Sequence, residues 1–150
     1  MGKYRDVLIE NDKTLGDSGT EVIELSVVDP ISELIIKVKN KNSTTSNKNN
    51  PIMRNISKIE VVDGANVIYS LSGALAQAMS YYQRRVLPCM YRQGGPSQNQ
   101  EDWFVLRFGR YLWDKIFALT PQAFRNLQLK ITYDFATVNA IGVTGFLTAN

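Results

Sequence analysis

Between Thr20 and Val28 the residues Ile23, Leu25 and Val27 alternate with Glu24 and Ser26, the period of a strand with one buried face. Asp29-Pro30 then supplies turn chemistry. Beyond it Leu34, Ile36 and Val38 face one way while Glu33, Ile35, Lys37 and Lys39 face the other, which predicts a second strand. Residues 40–51 contain only Asn, Ser, Thr, Lys and a closing Pro, with nothing to bury, and read as a flexible exposed loop. Strand character resumes at Ile56, Ile59 and Val61, breaks at Asp63-Gly64 and returns at Val67 and Tyr69, the signature of a tight hairpin.

The period then changes. Leu71, Leu75, Ala78, Met79, Tyr82 and Val86 fall at spacings of three and four, an apolar stripe on a helix of about three to four turns. Ser70 or Ser72 caps its start, Arg84 and Arg85 suit its carbonyl end, and Pro88 stops it. A loop over residues 91–100 leads to a strand at Phe104, Leu106 and Phe108, then to the aromatic turn Tyr111-Leu112-Trp113-Asp114. Thr120-Pro121 opens a single helical turn. The strongest alternation comes last, in Leu127, Leu129, Ile131, Tyr133 and Phe135, with Gln128, Lys130, Thr132 and Asp134 turned outward.

Many strands with short connections and one helix in a long crossover predict an all-β fold. We expect an antiparallel sandwich or jelly roll with one inserted α-helix at about residues 71–86. The 150 residues suit one domain. No stretch reaches the roughly 18 to 20 apolar residues that span a bilayer, and the polar start has no apolar run behind it to make a signal peptide. Gly2 is followed by Asp6 where an acylation signal has Ser or Thr, so a lipid anchor is not expected.

Charge and chemistry narrow the function. The chain has no histidine and one cysteine, Cys89, so Ser-His-Asp and Cys-His catalysis, the usual zinc sites and a disulfide framework are not expected. Cys89 reads as a small residue beside a helix end. No phosphate loop or dinucleotide fingerprint occurs, and Gly142-Val143-Thr144-Gly145 is too short for one. Asp17-Ser18-Gly19-Thr20 matches the Asp-Ser/Thr-Gly element of aspartic proteases, and Ala140-Ile141-Gly142 is like a second one. Asn11-Asp12-Lys13-Thr14, however, stands where the protease has an apolar strand, so the stretch reads as a turn. Glu101 and Asp102 are adjacent and point to opposite faces of a strand, which makes no acid–base pair. We expect no enzyme, no cofactor, no metal and no small-molecule substrate.

Two features stand out as interface candidates. Lys37, Lys39, Lys41, Lys48, Arg54 and Lys58 lie in a stretch free of acidic residues, within a chain of net charge +3. This segment is either a contact with nucleic acid or an anionic membrane, or a solubilising exterior, and it lacks interleaved aromatics for base stacking. Tyr111, Trp113 and Phe117 form a cluster that is either a sugar or protein contact or the edge of the core.

The stretch Asn55-Ile56-Ser57-Lys58-Ile59-Glu60-Val61-Val62-Asp63-Gly64, with Val67-Ile68-Tyr69-Ser70-Leu71-Ser72-Gly73 and its helix, resembles the first jelly roll of major capsid proteins from tailless icosahedral bacteriophages and related prophages, the double jelly-roll group. Phe108-Gly109-Arg110-Tyr111-Leu112-Trp113 with Asn126-Leu127-Gln128-Leu129-Lys130-Ile131 resembles it too, as do residues 136–146 and the opening at residues 4–29. The match lies in overall pattern, without catalytic motifs. It implies an eight-stranded sandwich, two per subunit, and homotrimers tiling an icosahedral shell over a membrane or genome. It further implies manufacture in the host cytoplasm without secretion, a place in the virion beside neighbouring capsid proteins, and variable surface at residues 40–51 and 91–100. The chain is then expected to be the N-terminal jelly roll of a longer subunit, ending at Thr148-Ala149-Asn150 on the approach to a further strand, with an open sheet edge. From another class, the alternative is a jelly-roll module that binds glycan or protein through Tyr111 and Trp113.

Overall fold

The computed structural model describes residues 5–42, 51–87, 90–92, 95–135 and 146–149. In chain order it forms strands β1 (Ser18–Glu24) and β2 (Glu33–Lys41), a short helix α1 (Ile52–Asn55), and strands β3 (Ile56–Asp63) and β4 (Asn66–Leu71). Helix α2 (Gly73–Arg84) follows, then β5 (Met90–Arg92), β6 (Asn99–Arg107), β7 (Leu127–Asp134) and β8 (Phe146–Ala149). The strands make two four-stranded antiparallel sheets, ordered β1-β7-β3-β4 and β5-β6-β2-β8. Successive strands β1, β2 and β3, and again β6, β7 and β8, change sheet at every step. That alternation between two facing sheets is the jelly-roll arrangement.

The alternating patterns are what hold the sheets together. Leu34, Ile36 and Val38 of β2 and Phe104 and Leu106 of β6 are fully buried, and Ile36 stands opposite Phe104 and Leu34 opposite Leu106. Across the sandwich Leu127, Leu129, Ile131 and Tyr133 of β7 are buried with Phe135, and Ile131 lies opposite Ile59 and Leu129 opposite Val61 of β3. These residues, with Ile23, Leu25, Ile52 and Ile56, form one core. The β3–β4 hairpin turns at Asp63-Gly64, where Gly64 has φ 59°, a left-handed conformation open to glycine without penalty.

Local differences from the sequence pattern have physical causes. Strand β2 continues through Asn40 and Lys41, two residues into the polar tract, because it pairs with β6 as far as Lys41 opposite Asn99. Pro51 precedes α1, an unexpected helical turn whose Ile52 is buried. The loop over 91–100 is shorter than expected, since Met90–Arg92 pairs with β6 and β6 itself begins at Asn99. Thr120-Pro121 opens a 3-10 turn, although Thr120 makes no side-chain cap. Phe146–Ala149 pairs with β2 and is itself an edge strand of that sheet. Cys89, Pro88 and residues 43–50 and 136–145 lie outside the described residues.

Among the described residues the one large element outside the sheets is helix α2, which begins two residues later and ends two residues earlier than the expected 71–86 because Leu71 pairs in β4 and Arg85 takes a left-handed turn. Ser72 caps it by accepting the Leu75 N–H at 3.3 Å, and Arg85 ends it in a left-handed turn whose N–H donates to Tyr81 O. Its inner face packs on β6 through Ser80. The Ser80 hydroxyl accepts the Val105 N–H at 3.1 Å and lies 3.0 Å from Val105 O and 2.8 Å from Ala76 O. β5 pairs with β6 only opposite Gln100, Glu101 and Asp102, so at Val105 the serine takes the place of a missing strand partner.

Candidate assembly surface

An apolar stripe on a helix ordinarily faces the core. In α2 it does the opposite. The residues buried against β6 and α1 are Gly73, Ala76, Gln77 and Ser80, spaced i, i+3, i+4, i+7. Leu75, Met79 and Tyr82 form the outer face, with Tyr82 75% exposed, and Val86, past the left-handed turn at Arg85, is 64% exposed. The small inner residues let the helix axis come close to the sheet, and the large ones are left on the side away from it. Beyond the helix Leu87 and Met90 are exposed too, and Tyr81 stacks edge-on against Tyr82 at 5.5 Å.

The aromatic turn after β6 lies beside it. A shallow depression is lined by Gln83 of α2 together with Arg107, Phe108, Gly109, Arg110 and Phe117, which joins the two surfaces. The turn is organised by Asp114, whose side chain is fully buried. Its carboxylate accepts Arg110 Nε at 2.8 Å, the Arg110 N–H at 3.1 Å, the Ile116 N–H at 3.0 Å and the Phe117 N–H at 3.4 Å. With its polar groups satisfied inward, the turn presents Tyr111, Trp113, Ile116 and Phe117 outward, all of them exposed. Tyr111 and Trp113 pack at 5.2 Å between ring centroids. The Arg110 guanidinium sits 4.8 Å from the Phe117 ring centroid and 5.6 Å from that of Tyr111.

The bond from Arg110, reinforced by the backbone N–H donors, holds the Asp114 carboxyl far below the usual carboxylate range. A group depressed in this way adds stability at all pH values above its unfolded pKa, near 3.8, and that contribution fades as pH falls below it. Asp114→Asn is therefore expected to flatten the loss of stability between about pH 4 and pH 2. Urea midpoints measured across that range check this, and a slope equal to that of the wild type would show that Asp114 carries none of it.

The basic candidates lie elsewhere. Lys37 and Lys39 are on the outer face of β2, away from the aromatic turn. Lys37 Nζ bonds Glu101 at 3.0 Å and lies 5.0 Å from the centre of the Trp103 ring, so its charge is met within its own sheet. The sequence brought Tyr111, Trp113 and Phe117 to notice and the structure gathers them, but not with the lysines. It missed the outward turn of Leu75, Met79, Tyr82 and Val86. The signal available was the second, small-residue face at helical spacing.

The other candidate chemistries find no assembled site among the described residues. Asp17 is an exposed residue just before β1, and its carbonyl accepts the Phe135 N–H. Asp102 is buried and accepts the Met53 N–H at 3.2 Å, while Glu101 faces outward to Lys37. No group of three or more His, Cys, Asp or Glu is placed to hold a metal among the described residues. None of their helices is long and apolar enough to cross a membrane, which says nothing about β-barrels.

No protein-family model and no curated protein matches the sequence. In three dimensions the chain is similar to the crystal structure of the STIV MCP, the major capsid protein of an archaeal virus, with a TM-score of 0.71 and 12% sequence identity. The likeness covers 95% of this chain and 46% of that one, so the chain spans about half the length of its neighbour. At that identity what is shared is the fold, an antiparallel jelly-roll sandwich.

Proposed function

We propose that this chain is a coat-protein module, part of a major capsid subunit, that works by lateral packing into a shell and has no catalytic role. The observation that carries the reading is the apolar face of Leu75, Met79, Tyr82, Val86, Tyr111, Trp113, Ile116 and Phe117, held on a rigid jelly-roll frame. Exposed apolar side chains gathered on two neighbouring elements mark a surface that is covered in use. The fold shared with a viral major capsid protein supports the same reading, as does the sequence resemblance to the double jelly-roll group. The resemblance is to bacteriophage proteins and the structural likeness to an archaeal virus protein, so the common element is the sandwich and not the host. In this reading the protein resides in the virion, its partners are further copies and neighbouring capsid proteins, and its assembly unit is a homotrimer.

Sedimentation velocity over a range of concentrations tests it. The wild type is expected to form trimers or larger species, and Leu75→Glu with Tyr82→Glu, both exposed positions, to reduce it to monomer while leaving the thermal transition in place. A wild type that stays monomeric at every concentration overturns the coat reading. The glycan-binding alternative rests on the exposed Tyr111–Trp113 pair. It expects glycan titration to change Trp113 fluorescence in a monomeric protein.

A further inference from the structure

The two flanks of the sandwich carry opposite charge. Around the apolar face, residues 73–87 and 107–117 hold Arg84, Arg85, Arg107, Arg110 and Lys115 against Asp114, and Glu33 meets Arg107 at 3.0 Å, which leaves a net charge of +3. Residues 5–29 hold Asp6, Glu10, Asp12, Asp17, Glu21, Glu24 and Asp29 against Arg5 and Lys13, a net charge of −5. The Lys13–Glu21 ion pair lays this acidic segment beside β1. β1 is one edge of its sheet and β4 the other, and Tyr69 of β4 meets Phe108 edge-on at 5.9 Å, which puts the aromatic turn on the β4 side. The acidic flank also exposes large apolar side chains, Leu8, Val22 and Val28.

We propose that the α2 and 110–117 face of one copy docks head to tail on the acidic β1 flank of a second copy. The inference rests on the coat-module reading and names the partner surface of that same site. A two-fold contact would set the basic-rimmed face against itself, and juxtaposed like charges disfavour it. The head-to-tail contact sets +3 against −5 around apolar centres on both sides, and repeated contacts of this kind close into rings or extend into arrays. Its electrostatic part weakens as salt shortens the Debye length.

Reciprocal charge reversal tests the pairing. Arg84→Glu with Lys115→Glu takes the basic face from +3 to −1, and Asp17→Lys with Glu24→Lys takes the acidic flank from −5 to −1; all four positions are exposed. In sedimentation velocity at low salt, each variant alone is expected to associate at least tenfold more weakly than the wild type. An equimolar mixture of the two is expected to recover association, because the second variant keeps the native basic face and the first keeps the native acidic flank. Association of the Asp17→Lys with Glu24→Lys variant as strong as that of the wild type, beside a weakened first variant, would show a two-fold contact of the basic face and overturn the proposal. Unchanged association of both variants overturns it while leaving the coat reading intact, whereas a monomeric wild type removes both. The neutral pair Arg84→Gln with Lys115→Gln guards against misfolding. It is expected to weaken association with a flatter salt dependence, and association equal to the wild type in both respects counts against the proposal.

Discussion

Alanine in place of Gly73 is expected to destabilise the protein by about 2–3 kcal/mol, against the direction that helix propensity gives. Alanine is favoured over glycine in a helix by up to about 1 kcal/mol. At Gly73, however, an added Cβ would sit 2.5 Å from Met53 O, 2.9 Å from Ile56 Cβ and 3.1 Å from Ile56 O. Two of these are main-chain oxygens at the α1–β3 junction, and they cannot swing aside as a flexible side chain would. The substitution must move α2 off the junction, which also stretches the Ser80 bonds to Val105 and displaces the apolar outer face. Gly16→Ala is the control, since nothing lies within 4 Å of its added Cβ. Urea unfolding should show a lowered midpoint for Gly73→Ala and little change for Gly16→Ala. A Gly73→Ala midpoint at or above that of the wild type would mean that the helix start does not pack as closely as described.

The largest loss is expected from Phe104→Ala, about 3–5 kcal/mol. Phe104 is fully buried at the middle of β6, opposite Ile36, within the single core that joins the sheets. Removing the ring forfeits its transfer free energy and leaves a cavity between two hydrogen-bonded sheets that resist collapse. Against a total stability of about 5–15 kcal/mol, that leaves the domain near its unfolding threshold. Phe117→Ala separates packing from assembly, since Phe117 is 58% exposed. Its effect on unfolding should stay within about 0.5 kcal/mol while self-association weakens. Equal unfolding midpoints for Phe104→Ala and Phe117→Ala would contradict the division between core and outer face.

The strands were legible because their information is local. In Leu127 to Phe135 each apolar residue follows a polar one, so a single strand already states which face is buried, and every member of the stripe is buried. Glu33 to Lys39 reads in the same way. The hairpin at Asp63-Gly64 was legible for a related reason, since turn chemistry acts over two residues. By contrast, α1 and β5 are short and take their conformation from what they pack or pair against.

Helix α2 marks the limit of sequence reading. Its approximate position and the outer residues Leu75, Met79 and Tyr82 follow from the chain, whereas the choice of Ser72 over Ser70 as cap and the placing of Leu71 in β4 came with the fold. The direction of the stripe does not, because a helix with large apolar residues on one face and Gly73, Ala76, Gln77 and Ser80 on the other can be seated either way. Only the folded sandwich decided it. The β6 edge beyond β5 needs a hydrogen-bonding partner at close range, Ser80 on the small face supplies it, and the large face is thereby left outside. In the same way the sequence alone determined that Tyr111, Trp113 and Phe117 cluster, whereas the bonds that turn Asp114 inward determined that they face out.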